Sequence, residues 1–179
     1  FINVNNNLEA AGLFGGGAKT VSRIANQAGS FFVVDIADGA LLKEFVMTDV
    51  SISNTVDLNL NELPGSPITY DADGDKLLDW TYIGDIDGQM WKINTHSGDT
   101  NTWAHCVFYD VTDTVFNGST VDVDDDSTRR EPIFYTPSLA RGPNDSLLLF
   151  FSTGHVENNA VANNVTTKNY LFAMVDDLA

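Results

Sequence analysis

Apolar residues in this chain come in short runs, each closed off by a cluster of Gly, Asn, Asp or Ser, and helical periodicity is scarce. Runs such as Phe31-Phe-Val-Val and Leu147-Leu-Leu-Phe-Phe are aromatic and aliphatic and too short for a helix that buries one face, so they read as strands. The spacing predicts an all-β fold with strands at 11–14, 31–36, 41–46, 80–83, 89–93, 104–110, 133–135, 147–152 and 170–175. One short helix is expected at 19–27, and loops at 48–63, 110–130 and 156–168. Loops of that length inside a compact domain are functional or disordered.

A strand, a polar turn ending in glycine and a second strand recur. Residues 31–45 carry the scheme around Gly39, and 90–103 repeat it around Gly98, while Tyr170-Leu-Phe-Ala-Met-Val-Asp opens a third copy. A hairpin turn of this kind calls for a residue that tolerates positive φ, and repeated hairpins build the four-stranded blades of a β-propeller. Gly39 and Gly98 are 98 − 39 = 59 residues apart, more than the usual ~40–50 per blade, so the surplus falls in loops. The chain then holds about three blades, fewer than the ~4–8 that close a propeller. The expectation is one domain over 1–179, an incomplete, quinoprotein-like propeller.

Composition narrows the partners. With 43% hydrophobic residues among 179 the chain can bury a core. Nine basic against 25 acidic side chains leave a formal charge of −16, which repels phosphate backbones and anionic lipid, so no nucleic acid and no direct membrane insertion are expected. No apolar run approaches the ~20 residues that span a bilayer. The chain begins Phe-Ile-Asn-Val, without Met, and reads as a piece of a longer protein, which leaves targeting open. The single cysteine, Cys106, excludes an intramolecular disulfide and reads as a small packed side chain.

Residues 71–79, Asp-Ala-Asp-Gly-Asp-Lys-Leu-Leu-Asp, place carboxylates at loop positions 1, 3, 5 and 9. Alternate residues of a tight turn aim their oxygens at one centre, and a hard divalent cation takes about six to eight of them. Asp71, Asp73, Asp75 and Asp79 are therefore candidate Ca2+ ligands, with Leu77 offering its carbonyl. Lys76 stands where an EF-hand has glycine, Tyr82 where it has glutamate, and strand-like residues follow, so the loop is a calcium turn of a β protein. The alternative is a solvated acidic turn.

Other constellations are weaker. Asp122, Asp124 and Asp126 alternate, but Arg130 occupies the ninth position, which favours an acidic loop paired with Arg129 and Arg130. Asp85 and Asp87 read as turn residues, and Gly15-Gly16-Gly17 as close backbone packing at a strand end. His96, His105 and His155 lack metal or triad spacing and read as turn or surface residues; Trp80, Trp91 and Trp103 read as blade packing. Asn117, Asn144 and Asn164 begin glycosylation triplets.

Residues 67–94 combine the aspartate loop with Tyr82-Ile-Gly84-Asp85-Ile-Asp-Gly88-Gln-Met-Trp91-Lys92. This resembles the calcium loop and Tyr-x-Gly-Asp-x-x-Gly-x-x-Trp-Arg run of the C-terminal β-propeller of the PilC/PilY family of type IV pilus biogenesis factors and tip adhesins, with Lys92 in the arginine position. Leu13-Phe-Gly-Gly-Gly, Phe32-Val-Val-Asp, Glu131-Pro-Ile-Phe-Tyr-Thr-Pro-Ser and Phe150-Phe-Ser-Thr-Gly resemble further family segments in order. The resemblance implies a protein that supports pilus assembly and surface adhesion, exported through periplasm and outer membrane to the cell surface or pilus tip; the aspartate loop and the lack of an acid, base and nucleophile set make a noncatalytic calcium-binding module the leading reading. Its implied partners are minor pilins and a host or surface receptor, and calcium occupancy would tune pilus extension against retraction. No Arg-Gly-Asp triplet is present, so integrin binding is not carried over. A pyrroloquinoline-quinone-dependent dehydrogenase is the enzymatic alternative; such enzymes resemble this chain in blade pattern but need an adjacent Cys-Cys pair against the cofactor, and this chain has one cysteine. An integrin-like calcium-binding surface propeller is the third reading.

Overall fold

A computed structural model describes residues 1–17, 29–47, 62–111, 115–116, 119–120, 132–143, 146–154 and 169–177. Every regular element among them is a strand. The helix expected at 19–27, the acidic run 122–126 and His155 lie outside the described residues, as do Asn117, Asn144 and Asn164.

Three antiparallel meanders follow one another. Blade 1 holds β3 (Ala11–Gly15), β4 (Ser30–Asp35) and β5 (Leu41–Val46); blade 2 holds β6 (Ile68–Tyr70), β7 (Trp80–Gly84), β8 (Gln89–Asn94) and β9 (Ala104–Asp110). Blade 3 holds β12 (Ser138–Arg141), β13 (Leu147–Ser152) and β14 (Leu171–Asp176). Small hairpins, β1 (Ile2–Val4) with β2 (Asn7–Glu9) and β10 (Val115–Phe116) with β11 (Ser119–Thr120), complete the set. These are three blades of a propeller, as the hairpin repeat predicts.

The blades share one construction. Just past β3, β7 and β13 the amides of Gly16, Asp85 and Thr153 donate to the carbonyls of Ser30, Gln89 and Tyr170, which puts those three strands in equivalent places. The entries to blades 2 and 3 match as well. Leu63 and Ile133 each precede a proline by four residues and reach back to the blade before: Gly17 N donates to Leu63 O, and Ile133 N to Asp85 O. Each wedge sits on a glycine, Leu63 on Gly15 and Ile133 on Gly84, where a Cβ would overlap it. The glycine run thus serves close packing. Gly39 adopts φ 78° in its hairpin turn, whereas Gly98, in the equivalent turn, is not among the positive-φ glycines and lies against the Asn3 side chain. The two glycines match in place but differ in physical reason.

Blade 2 is buried on both faces, so β7 and β8 are enclosed at nearly every position. Ile83, Trp91 and Ile93 pack toward blade 1 with Phe31, Val33, Phe45, Trp103 and the Ile2 side chain of the first hairpin. Tyr82 and Met90 pack toward blade 3 with Ile133, Leu147, Leu149 and Phe151. Each such side chain contributes roughly 1.5–3 kcal/mol through burial. The expected strand at 133–135 is corrected: Ile133 makes only an isolated bridge to Gly154, Tyr135 is exposed, and β12 starts only after Pro137.

Candidate metal centre

The loop 71–79 joins β6 to β7, which pair in register, Tyr70 opposite Trp80. That pairing sets the two loop ends side by side, and Asp79 N closes them by donating to Tyr70 O at 3.1 Å. Inside, the carboxylates organise the backbone. Asp71 accepts from Gly74 N (2.7 Å) and Lys76 N (2.8 Å), Asp73 from Asp75 N (3.0 Å), Asp75 from Leu77 N (2.7 Å) and Asp79 from Ala72 N (2.6 Å). Gly74 and Lys76 turn the chain with φ of 82° and 72°, so Lys76 takes the left-handed conformation that glycine would adopt freely.

Three of the expected ligands converge. Asp71, Asp73 and Asp79 each bring a carboxylate oxygen within 4.8 Å of the others. Asp75 is not in that group of carboxylates and is exposed; Leu77, expected to offer its backbone carbonyl, is half-buried. Asp79 is buried and holds a partner that sequence reasoning missed. His96 Nδ1 lies 2.7 Å from Asp79 Oδ1, and this contact raises the imidazole pKa above its ordinary value. Seventeen residues separate the two, and only the β7–β8 pairing brings them together. Thr95 N donates to Asp79 O at 2.8 Å and fixes the same junction.

The donor set fits a hard cation, because it is all oxygen and its like charges, this close, repel until neutralised. Asp85 does not join it. The side chain sits at the other end of β7, fully buried, where Oδ1 accepts from Asp87 N (2.9 Å) and Gln89 N (2.7 Å) and Oδ2 from Trp91 Nε1 (2.7 Å). Burial pushes its pKa up to about 7 against those three hydrogen bonds. Reading Asp85 as an ordinary turn residue therefore understates it. The neighbouring tyrosine and lysine are structural in the same sense. Tyr82 OH donates to Asp176 Oδ2 at 2.5 Å, and Lys92 Nζ lies 2.7 Å from the same oxygen and 3.9 Å from the Trp80 ring centroid. Burial and the carboxylate both push the Tyr82 pKa far up. The run from Tyr82 to Lys92 thus locks blade 2 to blade 3. His105 packs between Phe45, which it meets edge-on, and Trp91, against which it is tilted, and burial lowers its pKa, so it is a packing residue. Cys106, expected inside, is exposed on β9, because its neighbour His105 takes the inward position.

No family model matches the chain. It is 28% identical over 148 residues to a type IV pilus biogenesis factor PilY1 homolog of Xylella fastidiosa, a match covering 80% of this chain and 9% of that protein. In fold it matches the crystal structure of the Pseudomonas aeruginosa PilY1 C-terminal domain, with TM-score 0.56, 22% identity, 82% of this chain and 31% of that one. The likeness is to PilY1-type factors in sequence and to their C-terminal domain in fold. This is the family that the run 67–94 resembles. The chain spans less than a tenth of the curated PilY1 relative and about a third of the solved PilY1 domain.

Proposed function

We propose that this chain is a noncatalytic, calcium-binding propeller module of a PilY1-type pilus biogenesis factor. The observation that carries the reading is the convergence of Asp71, Asp73 and Asp79 within 4.8 Å, on a loop whose run 67–94 resembles the pilus family. Asp75 and the Leu77 carbonyl complete the proposed ligand set, and water supplies the remaining oxygens. A bound cation would supply neutralising charge. The chain's own residues do the rest: β6 and β7 fix the loop ends, Gly74 and Lys76 curl it, and His96 and Ala72 hold the Asp79 carboxylate. Lacking a glutamate at position 12, the site should bind in the range of about micromolar to millimolar.

In this reading the module sits on an exported protein at the cell surface or pilus tip and works with minor pilins and a surface receptor, with calcium occupancy biasing pilus extension against retraction. The similarity to PilY1-type factors supports it. Isothermal titration tests the site: calcium should give saturable heat with the wild type and none with Asp71→Asn. Equal heat in both removes the ligand assignment.

A further inference from the structure

We propose that metal occupancy of the 71–79 loop is transmitted to the β1–β2 hairpin, so that the loop acts as a calcium-dependent clasp on the N-terminal segment. This rests on the calcium reading above. The hairpin has two strands of three residues and pairs with no other strand among the described residues, and an isolated hairpin of that size is marginal in water. Its order must come from docking, and the docking contacts lead to the loop. Leu78 N, next to the proposed ligand Asp79, donates to Phe1 O at 2.9 Å. Leu78 also packs on the core in which Ile2 is fully buried.

A second route runs through the β8–β9 turn. Thr95 holds the loop from there, its hydroxyl donating to Leu78 O at 3.0 Å and its amide to Asp79 O. Three residues further, Gly98 O accepts from Asn5 N, and the Asn3 side chain lies against Gly98. Loop, turn and hairpin therefore close a ring of backbone contacts at one end of blade 2. Asn5 and Asn6 hold φ of 52° and 66°, the left-handed pair that a two-residue hairpin turn requires and that asparagine tolerates. When the three carboxylates are not neutralised their repulsion spreads the loop, and the displacement is felt first at Leu78, the residue that holds Phe1. Linkage makes the effect reciprocal, since whatever tightens the hairpin must tighten calcium.

Hydrogen exchange read by mass spectrometry, on the protein with calcium and after chelation, tests the clasp. Peptides covering 1–9 and 95–100 should gain protection with calcium together with 70–79, while 147–152 stay unchanged. Protection gained at 70–79 alone overturns the clasp and leaves calcium binding intact. No change anywhere, with no calcium heat in titration, overturns the calcium reading and the clasp with it. In a second arm, Ile2→Ala should weaken calcium affinity roughly fivefold or more, and Leu8→Ser, at a 63% exposed position, should not. Unchanged affinity in a folded Ile2→Ala protein contradicts the coupling; should that variant not fold, the exchange result on the wild type decides.

Discussion

Asp85 shows how one side chain fixes a strand end. Its carboxylate collects two turn amides and the Trp91 indole, so the Gly-Asp-x-x-Gly-x-x-Trp spacing is a hydrogen-bonding requirement of the β7–β8 turn. Its folded pKa of about 7 lies above the ordinary 3.8, so between those values the folded chain binds the proton more tightly than the unfolded one. The corresponding stability is full below about pH 4 and is lost as pH rises through about 7. The unfolding free energy of the wild type from denaturant titration, measured relative to Asp85→Asn, should therefore fall over that window by roughly 1–4 kcal/mol. A difference that stays flat with pH contradicts the assignment. Lys92 makes the second residue-scale case: Lys92→Met leaves Asp176 without its ammonium partner in a buried setting and should cost on the order of 3 kcal/mol, as read from urea unfolding. Lys92→Arg, which keeps a cation beside Asp176, should unfold near the wild-type midpoint.

At the scale of elements, the long apolar strands were legible in sequence because their periodicity is local. β5, β9 and β13 fall where the runs predict, and β3, β4, β7, β8 and β14 differ by a residue or two. The short inner strands were not. β6 and β12 have three and four residues behind a proline, and what makes them strands is pairing to β7 and β13, not composition. The β1–β2 hairpin was missed for the same reason, since its turn is two asparagines and its order comes from contacts with blades 1 and 2. The wedge-on-glycine contact repeats at Leu63 and Ile133, and it gives a test of blade spacing. Gly84→Ala should destabilise by roughly 1–3 kcal/mol, because a methyl group there meets the Ile133 side chain and backbone. Gly39→Ala has open space and suffers only from its positive φ, at about 1 kcal/mol. Thermal unfolding of the two variants should rank them in that order.

For the whole molecule, an acidic chain of −16 built as three blades concentrates three carboxylates at one end of its central blade. The candidate site was legible in part: Asp71, Asp73 and Asp79 come together, while Asp75, which continues the alternation, lies outside that group. The support around them was not, because His96 and Thr95 arrive through strand pairing and Phe1 through hairpin docking. A ligand that binds only the folded chain stabilises it by mass action, about 2.7 kcal/mol at a hundredfold excess over its dissociation constant. Calcium should therefore raise the thermal midpoint, and chelation should reverse the rise. The most direct measurement is a well-resolved crystal structure of this chain grown with calcium. The account predicts an ion between Asp71, Asp73 and Asp79 with oxygen distances of about 2.3–2.6 Å; water alone at that position, with the loop unchanged, would contradict it.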